Sequence, residues 1–133
     1  MTLVDTSVWI ETFRRSRPLD LEAIVPFDEV VTCLPVVQEV LQGFRDEALF
    51  RQARDAMLAL PIVESPLDDG LVLEAVSLFR TARRQGLTIR SSVDCLIAAC
   101  ALRHDFEVLH RDRDFGAIAR ISALRERRPS PSG

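Results

Sequence analysis

Short β-branched or apolar runs alternate along this chain with longer stretches in which apolar residues recur every three or four positions, the mark of strands alternating with amphipathic helices. Residues 2–4 read as a strand, followed by a helix over 7–15 whose apolar face carries Val8, Trp9, Ile10 and Phe13. A second short helix is expected over 19–25. The run EVVTC at 29–33 is strand-like, and Pro35 suits the first turn of a helix ending near Gly43. A helical pattern returns over 46–60, a third strand over 61–63, and a long helix over 67–85 that carries apolar residues at Leu71, Val72, Ala75, Val76 and Phe79, with Gly86 as its stop. The stretch 91–104 predicts a helix with almost no polar surface before its end. A fourth strand over 106–109 and a helix over 115–124 complete the pattern, and the tail RERRPSPSG at 125–133 is expected to fray. The result is an α/β fold with a mostly parallel four- to five-stranded sheet sandwiched between helices. In such folds ligands bind beyond the carboxyl ends of the strands, where strand order reverses.

A length of 133 residues, 47% hydrophobic and 28% charged, fits one globular domain, placed at 1–124. No apolar run approaches the roughly 18 residues a bilayer requires, and the start MTLVDTSVW puts an acid where a signal peptide carries positive charge, so a cytoplasmic location without membrane association is expected. Cys33, Cys95 and Cys100 read as reduced core residues, since the last two, five apart on a helix, point away from each other. The net charge of −3 offers nucleic acid no global attraction, which leaves local clusters such as Arg14, Arg15 and Arg17, or Arg83 and Arg84. All 17 basic side chains are arginine. Mechanisms built on a catalytic or phosphate-binding lysine are therefore excluded.

Four acids stand where the sheet would present a ligand. Asp5 directly follows the first strand, although Asp before Thr6 and Ser7 is also how a helix is capped. Glu39 lies one turn into the helix after the second strand, and helical side chains lean back toward the N-terminus, toward the same sheet edge. Alone it would be an ordinary solvated glutamate. Asp94 sits in SSVDCLIAACAL among Val93, Leu96, Ile97, Cys100 and Ala101, where an unpartnered carboxylate is costly. Complementing the helix N-terminus, with Ser91 or Ser92 as cap, is an equal alternative. Asp112 follows the fourth strand, with Asp114 two residues on; a polar turn would explain one such acid. Four acids at one edge of one sheet together favour a metal site. Ligands of oxygen alone suit Mg²⁺ or Mn²⁺, whereas His104 and His110 match no zinc spacing and read as structural.

The stretches LVDTSVWIE at 3–11, PVVQEVLQGF at 35–44, TIRSSVDCLIAACAL at 88–102 and VLHRDRDFGAIA at 108–119 resemble, in order and spacing, the PIN domain of the VapC toxins. The resemblance implies a parallel sheet between helices with Asp5, Glu39, Asp94 and Asp112 around one or two Mg²⁺ or Mn²⁺ ions, Asp114 assisting, and Thr6 or Ser7 orienting ligands or water. It implies an endoribonuclease that hydrolyses RNA phosphodiesters through a water acidified by metal, acting on tRNA or ribosomal RNA. It further implies a toxin silenced by a cognate VapB-type antitoxin and working as a homodimer, for which Trp9, Ile10 and Phe13 offer an apolar surface unless they are intramolecular core. A haloacid-dehalogenase-type phosphatase or a phospho-receiver domain would each want a lysine, and the phosphatase a second Asp where Ser7 stands. The alternative from another class is a PIN fold serving as an inactive binding module, which loss of one ligand acid would signal; all four acids are present.

Overall fold

The computed structural model describes residues 1–130. Its five strands form one sheet in the order β3-β2-β1-β4-β5, every neighbouring pair parallel. The elements are β1 (Thr2–Val4), α1 (Thr6–Thr12), β2 (Val30–Cys33), α2 (Leu34–Gln42), α3 (Glu47–Leu58), β3 (Ile62–Val63), α4 (Asp69–Arg84), α5 (Ser92–His104), β4 (Glu107–Leu109), α6 (Arg113–Arg120) and β5 (Glu126–Arg127). Side chains alternate between the faces of a strand, yet every residue of β1 and β2 is buried, so helices cover both faces of the sheet. From β1 the chain crosses outward to β2 and β3, then returns to lay β4 on the other side of β1. Strand order therefore reverses between β1 and β4, and the crevice at their carboxyl ends is where this architecture places a ligand.

Local chemistry explains most boundaries. Asp5, Asp46, Asp68 and Asp112 cap α1, α3, α4 and α6 with side-chain bonds to free backbone N–H groups. Past the end of α4, Gly86 takes φ +75°, and Leu87 N–H closes back on the Ala82 carbonyl at 2.9 Å. The helix expected over 115–124 instead starts at Arg113, because Asp112 accepts from Asp114 N–H, and stops at Arg120. The helix expected over 19–25 is only a 3₁₀ turn, Leu21–Ala23; a second, Phe27–Glu29, follows Pro26, which has no N–H to continue a helix.

The expectation of a frayed tail from residue 125 is corrected. Glu126 and Arg127 pair with Val108 and Leu109, with Val108 N–H bonded to the Arg125 carbonyl and His110 N–H to that of Arg127. β4 needs a partner for its outer N–H groups, and a charged dipeptide suits an edge strand. Residues 131–133 of that expectation lie outside the described residues. All three cysteines are free and buried, and a hydrogen bond with the Cys100 thiol, followed by burial, pushes that of Cys33 well above its ordinary range. On α1, Trp9 is core and stacks on Phe13, which meets Phe44 edge-on, while Ile10 is 61% exposed. The apolar face read from the sequence thus divides between intramolecular packing and open surface.

Candidate metal centre

Three segments bring acids to the β1–β4 crevice. Asp5 leaves β1, its N–H held by the Leu109 carbonyl at 2.9 Å, and its carboxylate turns over the start of α1. Oδ2 accepts from Ser7 N–H at 3.1 Å and from Ser7 Oγ at 2.5 Å. Ser7 Oγ in turn accepts from Arg111 N–H at 2.9 Å, so one hydroxyl ties Asp5 to the loop that carries Asp112. Oδ1 of Asp5 is buried without a partner. Burial raises the Asp5 pKa, the Ser7 bonds partly oppose that, and the Glu39 charge adds to it.

Asp94, in the first turn of α5, is 4% exposed and its Oδ2 has no partner. Neither Ser91 nor Ser92 uses its side chain to cap α5, so Asp94 stands at that N-terminus without a hydroxyl cap beside it. Its pKa is pushed up to about 9, first by burial, then by the charge of Asp5, and further by sharing a hydrogen bond with Asp112. Oxygens of Asp94, Asp112 and Asp114 lie within 4.8 Å of one another. Glu39, half-buried on α2, accepts from Thr6 Oγ1 at 2.9 Å. It borders an apolar cleft of about 260 Å³ formed with Ile10, Phe13, Val40, Gly43 and Phe44.

The remaining sequence candidates have visible tasks. Asp114 is buried and accepts from Arg90 N–H at 3.0 and 3.1 Å and from Ser91 N–H at 2.9 Å. It thereby anchors the segment entering α5 and fixes where Asp94 projects. Thr6 orients Glu39, and Ser7 orients Asp5. His110, read from the sequence as structural, is buried at the end of β4, and its Nδ1 accepts from Asp112 N–H at 3.1 Å. Periodicity could not reveal that bond; the alternation His-Arg-Asp-Arg-Asp at the end of β4 was its only trace.

A metal can be weighed against these groups directly. Among the described residues no ion pair reaches Asp5, Glu39, Asp94, Asp112 or Asp114. Arg111, whose N–H reaches Ser7, directs its guanidinium to Glu11 instead. Buried carboxylates with orphaned oxygens and no cationic side chain are a set that a hard divalent cation fits.

The PIN domain sequence profile matches residues 2–121. The ribonuclease VapC11 of Mycobacterium tuberculosis is 38% identical over 93% of this chain and 96% of its own length. This chain is a PIN-domain protein of the VapC ribonuclease family. Two solved structures share the fold: VapBC2 of Rickettsia felis bound to a promoter DNA fragment, with TM-score 0.74 and 17% identity over 97% of this chain and 98% of its own, and VapBC-5 of Mycobacterium tuberculosis, with TM-score 0.72 and 24% identity over 96% and 98%. No helix of the described residues is long and apolar enough to cross a membrane.

Proposed function

We propose that this PIN-domain ribonuclease is a Mg²⁺- or Mn²⁺-dependent endoribonuclease, the toxic member of a toxin–antitoxin pair, with Asp5, Glu39, Asp94 and Asp112 as the residues that hold the metal. The observation that carries the reading is the pair of buried, partnerless oxygens, Asp5 Oδ1 and Asp94 Oδ2, which no cationic side chain among the described residues neutralises. A divalent ion bound there supplies the positive charge that makes a water a better nucleophile and offsets charge gathering on the scissile phosphate and leaving oxygen.

The protein's part is to hold these groups in place. Ser7 fixes one oxygen of Asp5 and leaves the other free to bind. Asp114 sets the pose of α5 and therefore of Asp94. Thr6 turns Glu39 toward Asp5, whose pKa its charge affects. Burial of Asp94 keeps water from competing for its free oxygen. Hydrolysis needs no covalent enzyme intermediate.

RNA is the substrate the relatives' ribonuclease names support, tRNA or ribosomal RNA the classes the family resemblance favours, and the cytoplasm the compartment where either would be met. A VapB-type antitoxin would hold the enzyme inactive, and a homodimer would place the exposed Ile10 of each copy against a neighbour. The test is incubation of the purified protein with total cellular RNA in Mn²⁺ or Mg²⁺ and in EDTA. Discrete fragments only with metal support the reading; intact RNA with saturating metal would make the chain an inactive binding module.

A further inference from the structure

We propose that His110 is a positioning residue for the metal centre, linking the carboxyl-terminal strand β5 to Asp112 through a relay Glu126–His110–Asp112. This rests on the reading of Asp112 as a metal ligand. The imidazole is 1% exposed, lies against the Phe115 ring at 5.1 Å between centroids, and has its two nitrogens facing different elements. Nδ1 accepts from Asp112 N–H at 3.1 Å. A nitrogen that accepts carries no proton, so a neutral ring must hold its proton on Nε2. Nε2 is buried and makes no hydrogen bond, but Glu126 Oε1 on β5 stands 3.4 Å from it, an acceptor at ion-pair distance on the side where the proton must be. β5 is itself fastened to the same residue, since His110 N–H bonds to the Arg127 carbonyl at 3.1 Å.

The consequence falls on Asp112. Its N–H is pinned by His110, its Oδ1 by Asp114 N–H at 2.9 Å, and the N–H of the preceding Arg111 by Ser7. With backbone and one oxygen fixed, the carboxylate has few directions left, in a group where oxygens of Asp94, Asp112 and Asp114 lie within 4.8 Å of one another. Without the His110 acceptor the turn after β4 loses a bond that holds the backbone of Asp112, and the part-buried N–H is left unpaired. Outer groups that orient metal ligands are worth roughly ten- to a hundredfold in metal affinity. Asparagine places its carbonyl oxygen near the position of Nδ1, whereas glutamine places its amide near Nε2. The relay therefore predicts rescue by one amide and not by the other.

The experiment measures Mn²⁺ affinity by electron paramagnetic resonance and RNA cleavage for the unaltered protein, His110→Asn, His110→Gln and His110→Phe, with folding checked by circular dichroism. His110→Gln and His110→Phe are expected to weaken Mn²⁺ binding roughly tenfold or more, and His110→Asn to stay near the unaltered protein. A long-range ¹H–¹⁵N spectrum of the metal-free protein should show a protonated Nε2 and a bare Nδ1 on His110, whether or not any variant folds. Equal Mn²⁺ affinity in all four proteins, or a proton on Nδ1, would overturn the relay while leaving the metal centre standing. Failure of the unaltered protein to bind Mn²⁺ would overturn both.

Discussion

The protonation of Asp94 makes the metal-free protein's stability depend on pH in a way that can be worked out in advance. Folded, Asp94 gives up its proton only near pH 9; unfolded, it does so near 3.8. A folded pKa raised above the unfolded one means that the native state holds the proton longer. Stability is therefore full below pH 3.8 and falls as pH rises through the interval to 9. Across that interval each pH unit costs about 1.4 kcal/mol, so between pH 5 and pH 7 Asp94 alone removes about 2.7 kcal/mol. Asp94→Asn cannot ionise and should lack that component, leaving a distinctly flatter profile. Metal should reverse the loss in the unaltered protein, adding about 2.7 kcal/mol at a hundredfold excess over Kd, and do little for the variant. The assay is urea unfolding of both proteins at pH 5, 6 and 7, in EDTA and in Mn²⁺. Parallel pH profiles, or equal stabilisation by Mn²⁺, would refute the reasoning. A metal-free Asp94→Asn weaker by several kcal/mol would instead show Asp94 complementing the N-terminus of α5.

Three further outcomes follow from the same contacts. Asp5→Ala is expected to reduce RNA cleavage to background while leaving the circular dichroism spectrum unchanged; substantial cleavage by carefully purified variant would remove Asp5 from the mechanism. Ser7→Ala takes away the hydroxyl that joins Asp5 to the Arg111 N–H, and should cost about 1–3 kcal/mol in urea unfolding and weaken Mn²⁺ binding, a change in stability alone implying only a local role. Asp114→Ala strands the N–H groups of Arg90 and Ser91 and should cost a similar about 1–3 kcal/mol, with amide exchange accelerated first at residues 90–92 if Asp114 anchors α5.

The parts of the fold that periodicity controls are legible in the sequence. β1, β2 and β4 are short because their cores are, and the acids after β1 and β4 stood out because a polar residue ending a buried parallel strand needs a reason to be there. Asp94 was legible for the opposite cause, one carboxylate in an otherwise apolar helix. β5 was hidden because Glu126 and Arg127 carry no apolar signal; what holds them is the unpaired backbone of β4, a property of the sheet and not of those residues. The linkages that orient the acids were hidden for a related reason. Ser7 meets Arg111 across 104 residues of chain, a contact that exists only once β1 and β4 lie side by side, and Asp114 meets Arg90 across 24, once α6 packs beside α5. Composition could identify the missing counter-charge only as an absence of lysine; the structure shows that the nearby Arg111 is occupied with Glu11.

The central claim is that Asp5, Glu39, Asp94 and Asp112 gather to hold a divalent ion. Crystals grown with Mn²⁺ and measured by anomalous diffraction test it most directly. The account predicts an anomalous peak in the β1–β4 crevice, touching the free oxygens Asp5 Oδ1 and Asp94 Oδ2, and its loss in Asp94→Asn crystals grown alike. A peak elsewhere on the protein, or none at a Mn²⁺ concentration that supports RNA cleavage, would contradict it.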